Sequence, residues 1–215
     1  ITPCGRMSYA ELAKRIDELA RALVAAGVGK GSHVGLLLEN RPDWVALAFA
    51  ATGLGALFVP ISTFSKVDDL AYQLRHADIE HLILSARFLK NDYLAMLKQI
   101  VPELDACTPG KIYSGALPAL RSVVVCGAEE FPRGCSSFRG FEAARHEVPV
   151  EIVHALRADV DPEDDCYLLY TSGTTARPKG VLQVHGAVAR NGWRIGEYQG
   201  IDAADVGWFY YPLFF

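Results

Sequence analysis

The sequence lacks an excess of basic residues. It carries 21 Lys and Arg against 25 Asp and Glu, a formal net charge of −4. Proteins that bind nucleic acids usually present a basic face to the phosphate backbone, so this charge balance gives no support to a nucleic-acid partner. The sequence also lacks an apolar run long enough to span a bilayer. We therefore expect no transmembrane segment.

Regularly spaced cysteines are also missing. The five cysteines are scattered, odd in number and include no C-x-x-C pair. Disulfide frameworks and zinc sites are recognised by regular cysteine spacing, so we expect neither of them, and no metal site built from protein ligands alone. Scattered, unpaired cysteines are typical of a reducing compartment, which predicts a cytoplasmic protein.

The chain does contain enough apolar material for a large core. Of its 215 residues, 51% are hydrophobic and 21% are charged, which is the composition of a globular protein. The length allows one large domain, or one and a half domains of ordinary size.

Short apolar runs alternate with amphipathic segments along most of the chain. Segments buried on both faces and separated by helices are typical of a mostly parallel sheet in an α/β fold, with helices on both faces. The runs predict strands at 33–38, 57–61, 81–85, 122–126, 167–170, 181–184 and 206–211. The intervening patterns predict helices after Ser8, after Pro42, and at 65–77, 91–101 and 185–196. Residues 102–121 and 127–149 are rich in Gly, Pro and Ser, and we expect long connections there.

Three helix starts have recognisable cap residues. Ser8 and Glu11 have the spacing of a capping box. Asn40 precedes Pro42, which suits the first turn of a helix, so we expect Asn40 to be a cap. Ser65, followed by an acidic residue three positions later, is expected to begin the third helix.

The most informative stretch is YTSGTTARPKG, residues 170–180. Directly after an apolar strand it places the hydroxyls of Thr171, Ser172, Thr174 and Thr175 around Gly173. Small residues let several backbone N–H groups converge on one anion, and hydroxyls donate to phosphate oxygens. Arg177 and Lys179 are the only charged residues in this stretch. The sequence therefore predicts a loop that binds a polyphosphate.

This stretch differs from the P-loop of kinases and GTPases. That motif needs Gly before its Lys and Ser or Thr after it. Here Pro178 precedes Lys179 and Gly180 follows it. A kinase or GTPase interpretation fails at these two positions.

Residues 170–181, YTSGTTARPKGV, resemble the signature loop of the adenylate-forming superfamily. This group includes acyl- and aryl-CoA synthetases, peptide-synthetase adenylation domains and beetle luciferases. The resemblance continues over nearly the whole chain, through residues 5–44, the approach DPEDDCYLLYTSGTT at 161–175, and YPLFF at 211–215. It implies that the chain is the incomplete N-terminal domain of the adenylate-forming fold.

The resemblance also implies a reaction. Members activate a carboxylic acid with ATP and Mg²⁺ to form an acyl-adenylate, and a thiol, often that of coenzyme A, then takes the acyl group. By position, the ATP phosphates would be bound by Thr171, Ser172, Gly173, Thr174, Thr175 and Lys179. Lys179 would stabilise charge on the leaving pyrophosphate, and Thr174 would approach Mg²⁺. Phe215 would line the acyl or thiol channel.

The chain departs from the family pattern at two of the matched positions. Ala176 stands where relatives usually have Gly, and Phe215 where they often have His. We expect the change at Ala176 to leave phosphate binding in place. His185 matches a position that is often His, and we expect it to cap or orient the following helix.

The resemblance further implies a truncated domain. Residues 1–168 would form a first α/β portion, 169–215 the phosphate loop and the start of a second, and the C-terminal domain would be absent. We expect the isolated chain to be inactive and to bind ATP weakly. We also expect its apolar C-terminal tail to be disordered or covered by another copy in a homodimer.

The sequence is compatible with three functions. One is an acyl- or aryl-CoA synthetase acting on a small carboxylic acid, ATP and CoA. The second is a peptide-synthetase adenylation domain, whose acceptor is a carrier protein. The third is a non-catalytic remnant that binds phosphate or a partner.

Overall fold

The computed structural model describes residues 5–171, 177–207 and 211–214, and within them the chain forms nine strands and seven α-helices. The helices are α1 (Tyr9–Ala25), α2 (Pro42–Gly53), α3 (Val67–His76), α4 (Tyr93–Ile100), α5 (Phe138–Ala143), α6 (Val150–Ala158) and α7 (His185–Gln199). The strands are β1 (His33–Leu37), β2 (Leu57–Pro60), β3 (His81–Ser85), β4 (Arg87–Phe88), β5 (Asn91–Asp92), β6 (Ser122–Cys126), β7 (Ser136–Ser137), β8 (Asp165–Thr171) and β9 (Lys179–Val184).

Seven of these strands form one sheet in the order β7-β6-β3-β1-β2-β8-β9. Neighbouring strands are parallel from β7 to β8, and only β9 runs antiparallel to its neighbour. Strands β4 and β5 form a separate small antiparallel pair. The prediction of a mostly parallel sheet is confirmed.

Helices cover both faces of the sheet. One layer of the core joins α1, α2, α5 and α6 to the sheet and includes Leu23, Leu47 and Val153. The other layer contains Leu74 from α3 and Leu97 from α4. The predicted α/β class, with helices on both faces, is therefore correct. In the described residues no helix is long and apolar enough to cross a membrane.

The capping box at the start of α1 is present as predicted. The Glu11 carboxylate accepts the Ser8 backbone N–H at 2.7 Å, and the Ser8 hydroxyl accepts the Glu11 backbone N–H at 3.2 Å. This reciprocal arrangement satisfies two backbone donors that a helix start otherwise leaves unpaired.

The other two predicted helix starts need correction. The residue that caps α2 is Arg41, without a side-chain bond, and Asn40 makes contacts elsewhere. Helix α3 begins at Val67 and not at 65, because Lys66 is its cap and the Asp69 carboxylate accepts the Lys66 backbone N–H at 3.4 Å.

The connections predicted at 102–121 and 127–149 contain regular structure. A 3₁₀ helix covers Pro102–Ala106, and the second connection holds β7 and α5. Helix α5 is six residues long, too short to show a periodic pattern, and it begins where the Ser137 hydroxyl accepts the Gly140 N–H at 3.0 Å. The sequence pattern also missed α6 and the small β4–β5 pair.

The strand predicted at 206–211 is wrong at its described positions. Val206 and Gly207 lie outside any strand, and Tyr211 lies in a bend. Val206 is 90% exposed, so its apolar character does not reflect a place in the sheet. The three residues between 207 and 211 lie outside the described part.

Candidate functional site

Two paired strand ends flank the predicted phosphate loop. Strand β8 ends at Thr171 and β9 begins at Lys179, and these two residues are direct partners in the antiparallel register. Their neighbours Tyr170 and Gly180 form the next pair. Because directly opposed residues share a face, and faces alternate along a strand, Thr171 and Lys179 project together. The fold thus brings two of the predicted phosphate-binding residues to one place.

The other predicted phosphate-binding residues, Ser172, Gly173, Thr174 and Thr175, lie outside the described residues, as do Ala176 and Phe215. Their assigned roles, including that of Thr174 near Mg²⁺ and of Phe215 in a substrate channel, stay predictions. In the described part of the chain no cluster of His, Cys, Asp and Glu could hold a metal ion.

The paired strand ends lie at the carboxyl edge of the parallel sheet. Strand β8 runs parallel to β2, which runs parallel to β1, so Thr171 lies at the same edge as the ends of these strands. In open α/β sheets, ligands bind outside the carboxyl ends of the strands. The position of Thr171 and Lys179 is therefore the expected one for a ligand site.

Lys179 can interact with an anion. It is exposed, and within the described residues no hydrogen bond or ion pair involves its ammonium group. With Arg177 two positions earlier, the segment after the loop carries two positive charges. Charge of this kind favours a bound polyphosphate.

The strand that leads to the loop is fixed at its other end by an ion pair. Lys30 Nζ lies 2.7 Å from a carboxylate oxygen of Asp164, and this hydrogen bond lowers the pKa of Asp164. The backbone N–H of His185, the first residue of α7, donates to the Asp164 carbonyl at 3.0 Å. His185 therefore lies at a helix start, as expected, next to the beginning of β8 and away from its loop end.

A polar network lies after β1 at the carboxyl edge. The Ser85 hydroxyl donates to the Glu39 carboxylate, and Arg41 pairs with both Glu39 and Asp43. Beside it, burial raises the pKa of Cys126 to about 12. Since the thiolate is the reactive form, this burial disfavours a nucleophilic role for Cys126.

Asn40 holds the segment 211–214 against this edge. Its amide nitrogen donates to the Tyr211 carbonyl, and its amide oxygen accepts the Leu213 backbone N–H, both at 2.9 Å. The Phe214 ring packs edge-on against Phe64 at 5.7 Å, and Phe214 is 7% exposed. The apolar tail was expected to be disordered or covered by another copy. Its described part contacts its own chain through Asn40 and Phe64, and the homodimer stays a prediction.

A cavity of about 240 Å³ lies between the loop ends and the segment after β2. Thr171 lines it together with Ser62, Gln73 and Phe214. Gln73 is 5% exposed, and its Oε1 atom has no hydrogen-bond partner in the described residues. Sequence reasoning missed this cavity, because its walls come from segments that lie far apart in the sequence, such as those around Gln73 and Thr171.

A comparison with models of protein families shows which family this chain belongs to. The model of the family described as AMP-binding enzyme matches residues 2–215. The chain belongs to the AMP-binding enzyme family. This confirms the resemblance to adenylate-forming enzymes that the signature loop indicated.

Curated members of this family are similar along most of the chain. YngI of Bacillus subtilis, assigned as an acyl-CoA synthetase, is 28% identical over 200 residues, 93% of this chain and 36% of YngI. The mitochondrial medium-chain acyl-CoA ligase ACSF2 of Danio rerio is 28% identical over 195 residues, 89% of this chain and 32% of ACSF2. This chain thus spans about a third of the length of these relatives.

A solved structure supports the same fold. The anthranilate CoA ligase AuaEII, crystallised with anthranoyl-AMP, superimposes with a TM-score of 0.65 at 28% identity. The match covers 86% of this chain and 31% of AuaEII.

Proposed function

We propose that this chain is part of an ATP-dependent acid–thiol ligase, which activates a carboxylic acid as an acyl-adenylate and transfers the acyl group to coenzyme A. The observation that carries the proposal is the pairing of Thr171 with Lys179 at the carboxyl edge of the sheet. The family match and the ligase names of the relatives support the same reaction class.

In this proposal the chain's own residues bind the triphosphate. The Thr171 hydroxyl donates to a phosphate oxygen, and the Lys179 ammonium neutralises charge that develops on the β- and γ-phosphates. Ser172, Gly173, Thr174 and Thr175 add hydroxyl and backbone N–H donors, and Mg²⁺ accompanies the ATP.

The chemistry proceeds in two displacements. The substrate carboxylate attacks the α-phosphorus, the bond to the bridging oxygen breaks, and pyrophosphate leaves with the electron pair. The CoA thiolate then attacks the acyl carbonyl, and AMP leaves. Stabilising the leaving pyrophosphate accelerates the first step, because charge accumulates there as the bond breaks.

The reaction is tested by pyrophosphate exchange. The full-length protein, with labelled pyrophosphate and ATP, is assayed against a panel of aryl, short-chain and fatty acids. We expect acid-dependent labelling of ATP with at least one acid, and a CoA thioester when CoA is added. Labelling followed by transfer only to a carrier protein would favour the peptide-synthetase reaction. If no acid causes labelling of ATP, the result would favour a non-catalytic remnant that binds phosphate or a partner.

We also propose that the isolated 215-residue chain binds ATP weakly and that the protein is cytoplasmic. Titration calorimetry of the chain with MgATP tests the first point, and micromolar affinity would contradict it. Fractionation of the source cells tests the second.

A further inference from the structure

Two side chains of α3 contact the segments on both sides of the phosphate loop. We call Tyr170–Thr171 the first stem and residues 177–180 the second stem. Tyr72 and His76 lie four residues apart on α3 and therefore project from the same side of the helix. We propose that these two residues position the phosphate loop by holding both stems. The inference rests on the proposed function of the loop.

His76 holds the first stem. Its Nδ1 atom lies 2.8 Å from the Tyr170 hydroxyl, which in turn lies 3.4 Å from the Gln73 carbonyl oxygen. The hydroxyl has one proton, so both bonds form when His76 Nδ1–H donates to Tyr170 and Tyr170 donates to Gln73. Burial raises the pKa of Tyr170, which keeps this proton in place. The His76 and Tyr170 rings also meet at 5.7 Å.

Tyr72 holds the second stem. Its hydroxyl donates to the Pro178 carbonyl at 3.3 Å, and the Arg177 guanidinium lies over its ring, 5.0 Å from the centroid. A cation over an aromatic face is attracted by the ring quadrupole. His76 contributes here as well, since a Cβ atom added to Gly180 would lie 3.5 Å from His76 Cε1. At Gly180 the second stem therefore lies within van der Waals contact of the helix.

These contacts are separate from the packing of α3. Leu70 and Leu74 are each 1% exposed and attach the helix to the core, whereas Tyr72 is half-buried and His76 is exposed. The polar groups of Tyr72 and His76 are therefore not needed to bury the helix. Each of these two residues makes a hydrogen bond to one of the stems.

The second stem depends on this support because it begins an edge strand. Strand β9 is the last in the sheet order and, in the described part of the chain, pairs only with β8. Catalytic donors lose much of their effect when they are displaced by about 1 Å. Fixing both stems from α3 keeps Thr171 and Lys179 opposed, while neither Tyr72 nor His76 needs to touch the phosphates.

Amide hydrogen exchange of the protein tests the positioning without reference to activity. We expect Tyr72→Leu and His76→Ala each to speed exchange in peptides covering residues 170–181 by about five- to ten-fold, since each removes one hydrogen bond. Peptides from β1 and β3 should exchange at the wild-type rate. Arg75→Ala is the matched control on the same helix, because Arg75 bonds to the Gly115 and Ala116 carbonyls and not to the stems. Unchanged exchange in residues 170–181 would overturn the proposal.

Kinetics of the full-length protein test the consequence. We expect the KM for ATP to rise about ten-fold in both variants, with unchanged KM for the acid and for CoA and an unchanged midpoint of thermal unfolding. His76→Asn, which retains an N–H donor near the position of Nδ1, should restore most of the affinity. Equal rises in all three KM values would overturn the proposal. Faster amide hydrogen exchange without any change in the KM for ATP would overturn it as well. A wild-type protein that does not use ATP would instead refute the proposed function. In that case the amide hydrogen-exchange rates would still show whether Tyr72 and His76 hold the two stems.

Discussion

At the residue scale, a single buried histidine links stability to pH. His81 is 8% exposed in β3, its Nδ1 atom lies 2.8 Å from the Ser122 hydroxyl, and burial lowers its pKa to about 4. The folded state keeps this imidazole neutral at a pH where the unfolded chain, with an ordinary histidine pKa near 6.5, is protonated. Its contribution to stability is therefore complete above the unfolded pKa and is lost as the pH falls toward 4.

We predict that the free energy of unfolding falls between about pH 7.5 and pH 5 by about 2 kcal/mol through His81 alone. Urea unfolding at both pH values measures it. His81→Gln should remove this part of the pH dependence, whatever its effect on the absolute stability. His146→Gln, at an exposed position, should keep it. An equal pH dependence in the wild type and in His81→Gln would contradict the assignment.

At the scale of elements, the connection after β6 is held against the 3₁₀ helix Pro102–Ala106 by close backbone contact. The Gly134 N–H donates to the Leu104 carbonyl at 2.9 Å. A Cβ atom at Gly134 would lie 2.6 Å from that carbonyl oxygen and 2.9 Å from Cys107 Cβ. Backbone atoms cannot move aside as the end of a flexible side chain can, so one of the two segments must shift.

We predict that Gly134→Ala lowers the free energy of unfolding by about 1–3 kcal/mol, the usual range for overpacking. Gly115→Ala is the matched control, because a Cβ atom there has no neighbour within 4 Å and the backbone is not left-handed. Denaturant unfolding of both variants checks the difference. Equal stabilities would show that the two segments separate at little cost.

Elements differed in how well the sequence predicted them. Strands β1, β2, β3 and β6 are buried on both faces and stand out as short apolar runs. The short helix α5 has too few turns for a periodic pattern. Asn40 looked like a cap by local spacing, but its partners Tyr211 and Leu213 lie more than 170 residues away in sequence. Local patterns contain no information on such a contact.

At the scale of the whole molecule, the order of the strands in the sheet determines where the candidate phosphate site lies. The chain starts near the middle of the sheet at β1, adds strands on both sides, and returns at β8 to pair with β2. The phosphate-loop motif and its position after a strand could be predicted from residues 170–180. The support from Tyr72 and His76 could not, because it depends on which helix packs beside β8, and the order of strands is not encoded in any local segment.

The central claim is that Lys179, opposed to Thr171, stabilises the phosphates of ATP. The most direct test is the rate of acid-dependent pyrophosphate exchange in full-length Lys179→Ala, with Lys14→Ala, an exposed lysine on α1, as the control. We predict that Lys179→Ala lowers kcat/KM for ATP by about a hundred-fold or more, with an unchanged midpoint of thermal unfolding, and that Lys14→Ala behaves as the wild type. Wild-type exchange rates in Lys179→Ala would contradict the account.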